Sequence, residues 1–191
     1  MRQKLTWLVL CTAAILIASL YLAESAVATP ANGGFKATTI ASGTFEEFEV
    51  FNHVSRDMLP AGFDGNLWLS LQKTKGRSDV YVQSNVWPPV NPTTGVIAST
   101  GWHTHPGHSL IIVTAGTITE YDADCTPRVY TFVPGQPAPT LVDPGRGHVH
   151  IIRNEGLVAA STIAVQLVPN DPNKANRRID VPAPENCSNI N

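Results

Sequence analysis

Five of the six histidines fall in two short blocks of the sequence, and their spacing suits metal coordination. The first block, GWHTHPGHSLIIVTAG, contains His103 and His105, two residues apart. On an extended strand this spacing points both imidazoles to one face, so that one ion could be held by both rings. The second block, GHVHIIRN, repeats the alternation with His148 and His150. Together the two blocks predict a metal site that is built from two strands.

The same blocks resemble the two sequence motifs of the cupin superfamily, G-x5-H-x-H-x3,4-E-x6-G and P-x-G-x2-H-x3-N. The residues that match are His103, His105 and Gly116 in the first motif and Gly147, His150 and Asn154 in the second. The resemblance spans Ser78–Val168. It implies an all-β, cupin-type jelly-roll β-barrel (a double-stranded β-helix) with a small molecule in its cavity. It also implies that Asn154 supports a turn and is not a ligand.

The chain departs from the family pattern at the acidic position of the first motif. This position falls on Ser109, so the glutamate that serves as the usual fourth ligand is absent. Pro144 also lies one residue early in the second motif, and Gly101 is closer to the first histidine than the pattern asks. The predicted ligand set is therefore His103, His105 and His150. An alternative is that these histidines are hydrogen-bonded residues of a barrel that has lost its metal.

Several further residues are candidates for an additional ligand or for the pocket wall. His148 shares a strand face with His150, and His108 lies in a Pro-Gly turn; either could replace the missing ligand. Trp102 is a candidate pocket wall, although an aromatic side chain beside a core strand also packs well in the interior. Arg146 could hold an anionic substrate at the pocket mouth or be a solvated turn residue. His53 stands alone in the sequence and is interpreted as structural.

Three neutral imidazoles suit a divalent transition ion, Fe, Mn, Zn, Cu or Ni, better than calcium or magnesium. With no acidic ligand, coordination positions stay open for water or substrate. One hypothesis is a metal-dependent oxygenase or isomerase acting on a small molecule. The other is a non-catalytic binding protein for a sugar or other metabolite. A structural or storage role would not explain why the histidines are clustered.

Residues 1–28 have the layout of a secretory signal peptide. Two basic residues precede an apolar run, Leu5–Ala23, and Ala26-Val27-Ala28 follows as a small-residue cleavage site. We expect a mature chain that begins at Thr29 in a secreted, periplasmic or other extracytoplasmic location, with no stable membrane insertion after cleavage. An uncleaved anchor is the alternative, since the apolar run approaches the roughly 20 residues that span a bilayer.

Composition fits one globular domain with a sizeable core. The formal net charge of the chain is −2, and no basic patch or charge run indicates nucleic acid or an anionic membrane as a partner. Outside the predicted signal peptide, Cys125 and Cys187 are the two cysteines. In an oxidising compartment they could form one disulfide that ties the C-terminal tail to a loop; two free thiols are the alternative. A homodimer is a further hypothesis.

Short β-rich segments separated by glycine and proline predict many strands and no long helix. Leu110–Val113 is apolar at every position, which predicts a strand buried on both faces. The predicted organisation is a signal peptide (1–28), an N-terminal extension whose strands pack on the barrel (29–77), the barrel (78–168) and a C-terminal tail (169–191).

Overall fold

The computed structural model describes residues 28–173 and 177–190, and almost all of their regular structure is β-strand. The strands are β1 Lys36–Phe45, β2 Glu49–Ser55, β3 Leu67–Lys73, β4 Ser78–Trp87, β5 Ala98–Ser99, β6 His103–Thr104, β7 Ser109–Ala115, β8 Thr117–Asp122, β9 Pro127–Thr131, β10 Thr140–Asp143, β11 His150–Asn154, β12 Ala160–Pro169 and β13 Ile179–Asp180. Two 3-10 turns, Arg56–Met58 and Glu185–Cys187, are the helical elements of the described chain.

The predicted signal peptide, residues 1–28, lies outside the described residues except for Ala28. Among the residues that are described, no helix has the length and apolar character needed to cross a membrane.

Two antiparallel sheets form the body of the protein. The first has the strand order β1-β4-β12-β7-β10, and the second has the order β13-β6-β11-β8-β9, with β5 paired to β11. Neighbours in each sheet are mostly far apart in sequence, as in the wound strands of a jelly roll. β2 and β3 form a separate two-stranded sheet. The all-β jelly-roll prediction is confirmed.

The core lies between the two sheets. The first sheet contributes Trp87, Ile111 and Leu141, and the second contributes Ile118 and Ile152, to one cluster of buried apolar side chains. Because side chains from both inner faces meet in this cluster, the sheets pack face to face around a common interior. Any polar side chain on these inner faces must therefore find its partners inside the barrel.

Strand β7 has one buried face and one exposed face, so the prediction that Leu110–Val113 is buried on both faces is wrong. Ser109, Ile111 and Val113 point inward, whereas Leu110 and Ile112 are 52% and 43% exposed. The apolar run is therefore an alternating strand whose outer positions also carry large aliphatic residues. Exposed apolar side chains on this outer face are compatible with the homodimer hypothesis, which stays a prediction.

The N-terminal region divides between two sheets. β1 pairs with β4 along its whole length and so extends the first sheet of the barrel, with a register shift between Thr39 and Ala41. β2 and β3 pair only with each other in the described chain. The alternating apolar and polar residues of Leu67–Gln72 lie in β3.

The C-terminal tail is fastened to the second sheet at three points. β13 pairs with β6, with Asp180 opposite His103. A disulfide joins Cys187 to Cys125 across a Cα–Cα distance of 5.6 Å, which confirms the predicted bond. Near the end, the indole Nε1 of Trp102 donates to the carbonyl of Ile190 at 2.6 Å. The tail is consequently part of the barrel wall.

Replacing both Cys125 and Cys187 with alanine is expected to lower the free energy of unfolding by about 2–4 kcal/mol. The bond closes a loop with a sequence separation of 62 residues, which reduces the conformational entropy of the unfolded chain. Urea unfolding of the variant beside the oxidised and reduced parent protein measures the effect. A variant with the same unfolding free energy as the oxidised parent would contradict the prediction.

Candidate metal centre

Pairing of β6 with β11 brings the two histidine blocks together. His103 is the cross-strand partner of His150 in this antiparallel pair. Directly opposite residues project from the same face of a sheet, so both rings enter the barrel side by side. His105 follows two residues after His103, and its ring joins them. Ring centroids are 4.4 Å apart for His103 and His150, 4.8 Å for His103 and His105, and 6.0 Å for His105 and His150.

The three rings could hold a single ion. One nitrogen from each ring lies within 4.8 Å of the corresponding nitrogens of the other two. The His103 and His150 residues are only 3% and 1% exposed, and the His105 side chain is 14% exposed. Water is therefore largely excluded from the space between the rings.

Backbone carbonyls fix the orientation of two rings. Nδ1 of His103 lies 2.8 Å from the carbonyl oxygen of Gly101, and Nδ1 of His105 lies 2.7 Å from that of Arg177. A carbonyl only accepts, so Nδ1 of His103 carries the proton and its Nε2 keeps the lone pair. Nδ1 of His105 also lies 2.7 Å from the side-chain amide of Gln166, so this ring is held between a backbone carbonyl and an amide. Gly101 has a φ of +70°, and an added Cβ would lie 2.0 Å from the Thr29 carbonyl oxygen. Glycine is thus required where the chain turns to present its carbonyl to His103.

Burial keeps the three imidazoles neutral. Desolvation lowers the pKa of His103 well below the ordinary value of 6.5; electrostatic coupling to the titratable ring of His150 and the positive charge of Arg178 lower it further. Desolvation also lowers the pKa of His105. The pKa of His150 falls to about 4 from the same principal cause. Neutral rings at pH 7 are the protonation state that metal coordination requires.

A buried carboxylate that the sequence analysis did not select lies beside these rings. Asp143 is fully buried; its Oδ1 accepts from the backbone N–H of Gly145 at 2.8 Å and lies 3.2 Å from Nδ1 of His148. Its Oδ2 has no hydrogen-bond partner among the described residues and lies 3.8 Å from Nε2 of His105. Nδ1 of His150 is likewise without a hydrogen bond, 3.7 Å from Asp143 Oδ1.

The strand register explains how Asp143 reaches this position. In the β7–β10 pair, Asp143 is the cross-strand partner of Ser109, and both side chains are buried. The position that carries an acid in the first cupin motif is thus a serine here, while the residue directly opposite it is an aspartate. The sequence offers only a weak signal for this role, because Asp before Pro-Gly is also a common turn former.

The remaining predicted residues lie at different places around the barrel. Ser109 lines the cavity together with the three histidines. His148 is partly exposed, with Nε2 3.0 Å from Asp122 Oδ1, and so lies between two carboxylates. Trp102 is fully buried against Ile151 and Cys187 in a second apolar cluster and does not line the cavity.

Two further predicted residues also lie outside the cavity. His108 lies in an apolar groove on the outer surface with Phe45, Val50 and Leu110. Arg146 is exposed, with a φ of +49°, and its backbone N–H donates to the carbonyl of His105 at 2.7 Å. Asn154 is fully buried and its side-chain amide donates to the carbonyls of neighbouring loops, in line with a supporting role.

A cavity of about 280 Å³ opens beside the histidines. Its lining residues are Ala31, Phe35, Ala37, Gln83, Asn85, Trp87, Thr100, His103, His105, Ser109, Ile111, His150, Ile152, Thr162, Ala164, Gln166, Arg177 and Arg178. The volume is at the lower end of the roughly 300–1,000 Å³ typical of ligand pockets. A small molecule could therefore contact the histidines directly.

The residues present fit a metal ion. Neutral imidazoles suit transition metals, and the unpaired Asp143 Oδ2 and His150 Nδ1 are buried polar atoms that lack a partner in the metal-free chain. Asp143, His148 and His150 form a second group that could hold an ion, and it shares His150 with the first. The buried His/Asp group is thus a candidate metal centre.

Below pH 6.5 the free energy of unfolding of the metal-free protein is expected to fall. The unfolded chain binds protons at its histidines first, because burial lowers the folded-state pKa of His150 from 6.5 to about 4. The part of the loss that is due to His150 should occur between these two values. Urea unfolding across this range measures it, with a His103→Asn/His150→Asn variant as control. Equal pH slopes for parent and variant would contradict the prediction.

No protein-family model matches the chain, and comparison with curated proteins gives no match. Among solved structures, a cupin-like protein from Thermotoga maritima has 17% identity and a TM-score of 0.38, covering 55% of this chain and 65% of that one. A sugar phosphate isomerase of the cupin superfamily from Silicibacter pomeroyi has 17% identity and a TM-score of 0.37, covering 48% and 51%. A cupin superfamily protein from Desulfitobacterium hafniense has 10% identity and a TM-score of 0.37, covering 70% and 83%.

The first two alignments span less than two thirds of the matched proteins. At these scores the fold assignment rests on this chain's own strand order, its alternating burial and the histidines inside it. On those grounds, the described part of the chain has the cupin-type jelly-roll fold that its two histidine motifs predict.

Proposed function

We propose that the protein is an exported, metal-dependent cupin that acts on a small molecule in the barrel cavity. The observation that carries the proposal is the convergence of His103, His105 and His150, neutral and buried, at the wall of a cavity. A bound divalent ion would supply a Lewis acid for oxygenase-like or isomerase-like chemistry. Export is supported by the Cys125–Cys187 disulfide, since such bonds persist mainly in oxidising compartments.

The protein's own residues orient the ligands and exclude water. The carbonyls of Gly101 and Arg177 orient two rings, and the carbonyl of Gly101 holds His103 in the tautomer that leaves Nε2 free. Apolar side chains such as Trp87 and Ile152 form part of the cavity wall and lower its polarity. A substrate in this space would meet the histidines at one end and apolar surface beside them.

In this proposal Asp143 supplies the anionic ligand, because Ser109 has no carboxylate. The unpaired Oδ2 of Asp143 lies 3.8 Å from Nε2 of His105. Ser109 lines the cavity, but Asp143 is not among the lining residues. The carboxylate could therefore neutralise part of the ion's charge from outside the cavity, while the side of the ion that faces the cavity stays open to substrate.

A binding protein without turnover remains the second candidate. Among the described residues that line the cavity there is no Asp or Glu to serve as a proton donor or acceptor. Any turnover would then depend on the ion and the histidines. Dioxygen uptake and product analysis with metal-loaded protein, compared with its His103→Ala variant, separate an enzyme from a binding protein.

Protein purified without an affinity tag is expected to bind one divalent transition ion per chain. The triple variant His103→Ala/His105→Ala/His150→Ala should lose it, because the neutral nitrogen donors are removed. A His53→Ala/His108→Ala variant is the matched control and should retain the ion, since neither residue lines the cavity. Elemental analysis gives the stoichiometry. Stoichiometric metal in a folded triple variant would overturn the site.

Asp143→Asn is expected to weaken divalent metal binding at least tenfold, because it removes the anionic ligand at nearly constant volume. Ser109→Glu in that background should recover part of the affinity by returning a carboxylate from the opposite strand. His148→Gln is the matched control, since it removes the His148 contact and keeps the carboxylate. Competition with a chelator and the absorption spectrum of bound cobalt measure both changes. Unchanged affinity in Asp143→Asn would exclude Asp143 as a ligand.

A further inference from the structure

The charged residues among the described residues of the cavity wall are all basic. Two arginines, Arg177 and Arg178, are among the residues that line the cavity, and no Asp or Glu is among them in the described chain. Both arginines come from the C-terminal tail, next to β13, and lie beyond the segment in which the sequence motifs were found. A neutral small molecule would gain little from two cations at this place, whereas an anion would be attracted to them.

Arg178 is only partly neutralised. Its Nε and Nη2 donate to Asp180 Oδ1 at 2.7 and 2.6 Å, and Nη2 also donates to the carbonyl of Thr100. These contacts fix one side of the guanidinium group. Burial lowers the pKa of Arg178, but an arginine keeps its charge in proteins, so a cation remains at the cavity wall.

Arg177 is held by neutral groups instead. Its Nη1 donates to Thr39 Oγ1 at 2.8 Å, and the guanidinium carbon lies 5.1 Å from the centroid of the Tyr81 ring. No carboxylate of the described residues forms an ion pair with it. The group is thus oriented without losing its charge, which leaves it available to an anionic ligand.

The two arginines lie close to the histidine cluster. The carbonyl oxygen of Arg177 lies 2.7 Å from Nδ1 of His105, so the backbone of this residue contacts the candidate ligand directly. Arg177 and Arg178 line the same cavity as His103, His105 and His150. A small ligand could therefore reach the guanidinium groups and the imidazoles at the same time.

We propose that the cavity takes its small molecule as an organic carboxylate, whose anionic group is held by Arg177 with Arg178 beside it. The inference names the substrate class of the proposed function and so rests on it. A carboxylate matches the planar guanidinium fork in a bidentate contact. The apolar lining, including Phe35, Trp87 and Ile111, suits a carbon skeleton. Inorganic phosphate has the charge but no apolar part.

Binding to the metal-free protein tests the proposal, because the arginine contacts need no ion. Calorimetric titrations would use butyrate, its neutral analogue butyramide and inorganic phosphate. Butyrate is expected to bind at least tenfold more tightly than either. Arg177→Gln should reduce butyrate affinity at least tenfold, and Arg177→Lys should recover part of it, since the charge returns without the fork. Arg146→Gln is the matched control and should bind butyrate as the parent does.

Equal affinity for butyrate and butyramide, or an Arg177→Gln variant that binds butyrate normally, would overturn the proposal. Tighter binding of phosphate than of butyrate would overturn the carboxylate assignment. Should Arg177→Gln fail to fold, the double variant Arg178→Gln/Asp180→Asn gives a second measurement, because it removes one positive and one negative charge together. Unchanged butyrate affinity in both this double variant and Arg177→Lys would count against the proposal. A protein that binds butyrate through Arg177 but never binds metal would refute the proposed function and leave this inference standing.

Discussion

The placement of His103 opposite His150 in the β6–β11 pair is the constraint on which the site depends. The pair puts two uncharged rings in the barrel interior, where ionising them is costly, and it places His105 beside them. Other features serve this arrangement. Gly101 turns the chain so that its carbonyl meets one ring, and the tail supplies the carbonyl that meets another. The histidines are thus held by backbone groups, whose positions are set by the fold.

Much of the fold could be predicted from the sequence, since alternation and turn residues act locally. The strands around the histidine blocks follow from a period of two. Leu110 and Ile112 show where this reasoning ends. Aliphatic residues on both faces predict burial on both, yet their exposure depends on what covers the outer face of the sheet, and the strand's own sequence does not contain that information.

The histidines of the candidate site could be predicted, but its charged residues could not. His103 and His105 can be recognised by their spacing of two residues, although β6 itself ends at Thr104. Asp143 enters the site only because β10 pairs with β7, which places it opposite Ser109. These two strands are far apart in sequence. Arg177 enters through the path of the tail, in a segment with no apolar periodicity. Residues whose role depends on long-range pairing or on the course of a loop give no local signal.

Arg177 belongs to both parts of the site, the histidine cluster and the cavity that would hold the small molecule. Its carbonyl contacts Nδ1 of His105, and the residue also lines the cavity. A molecule that shifts this guanidinium group also pulls on the backbone that orients the ring. The two occupants of the barrel would then be thermodynamically coupled: the factor by which one changes the affinity of the other is reciprocal. Cooperativity in such a site needs no second domain and no hinge, because a single peptide unit transmits it.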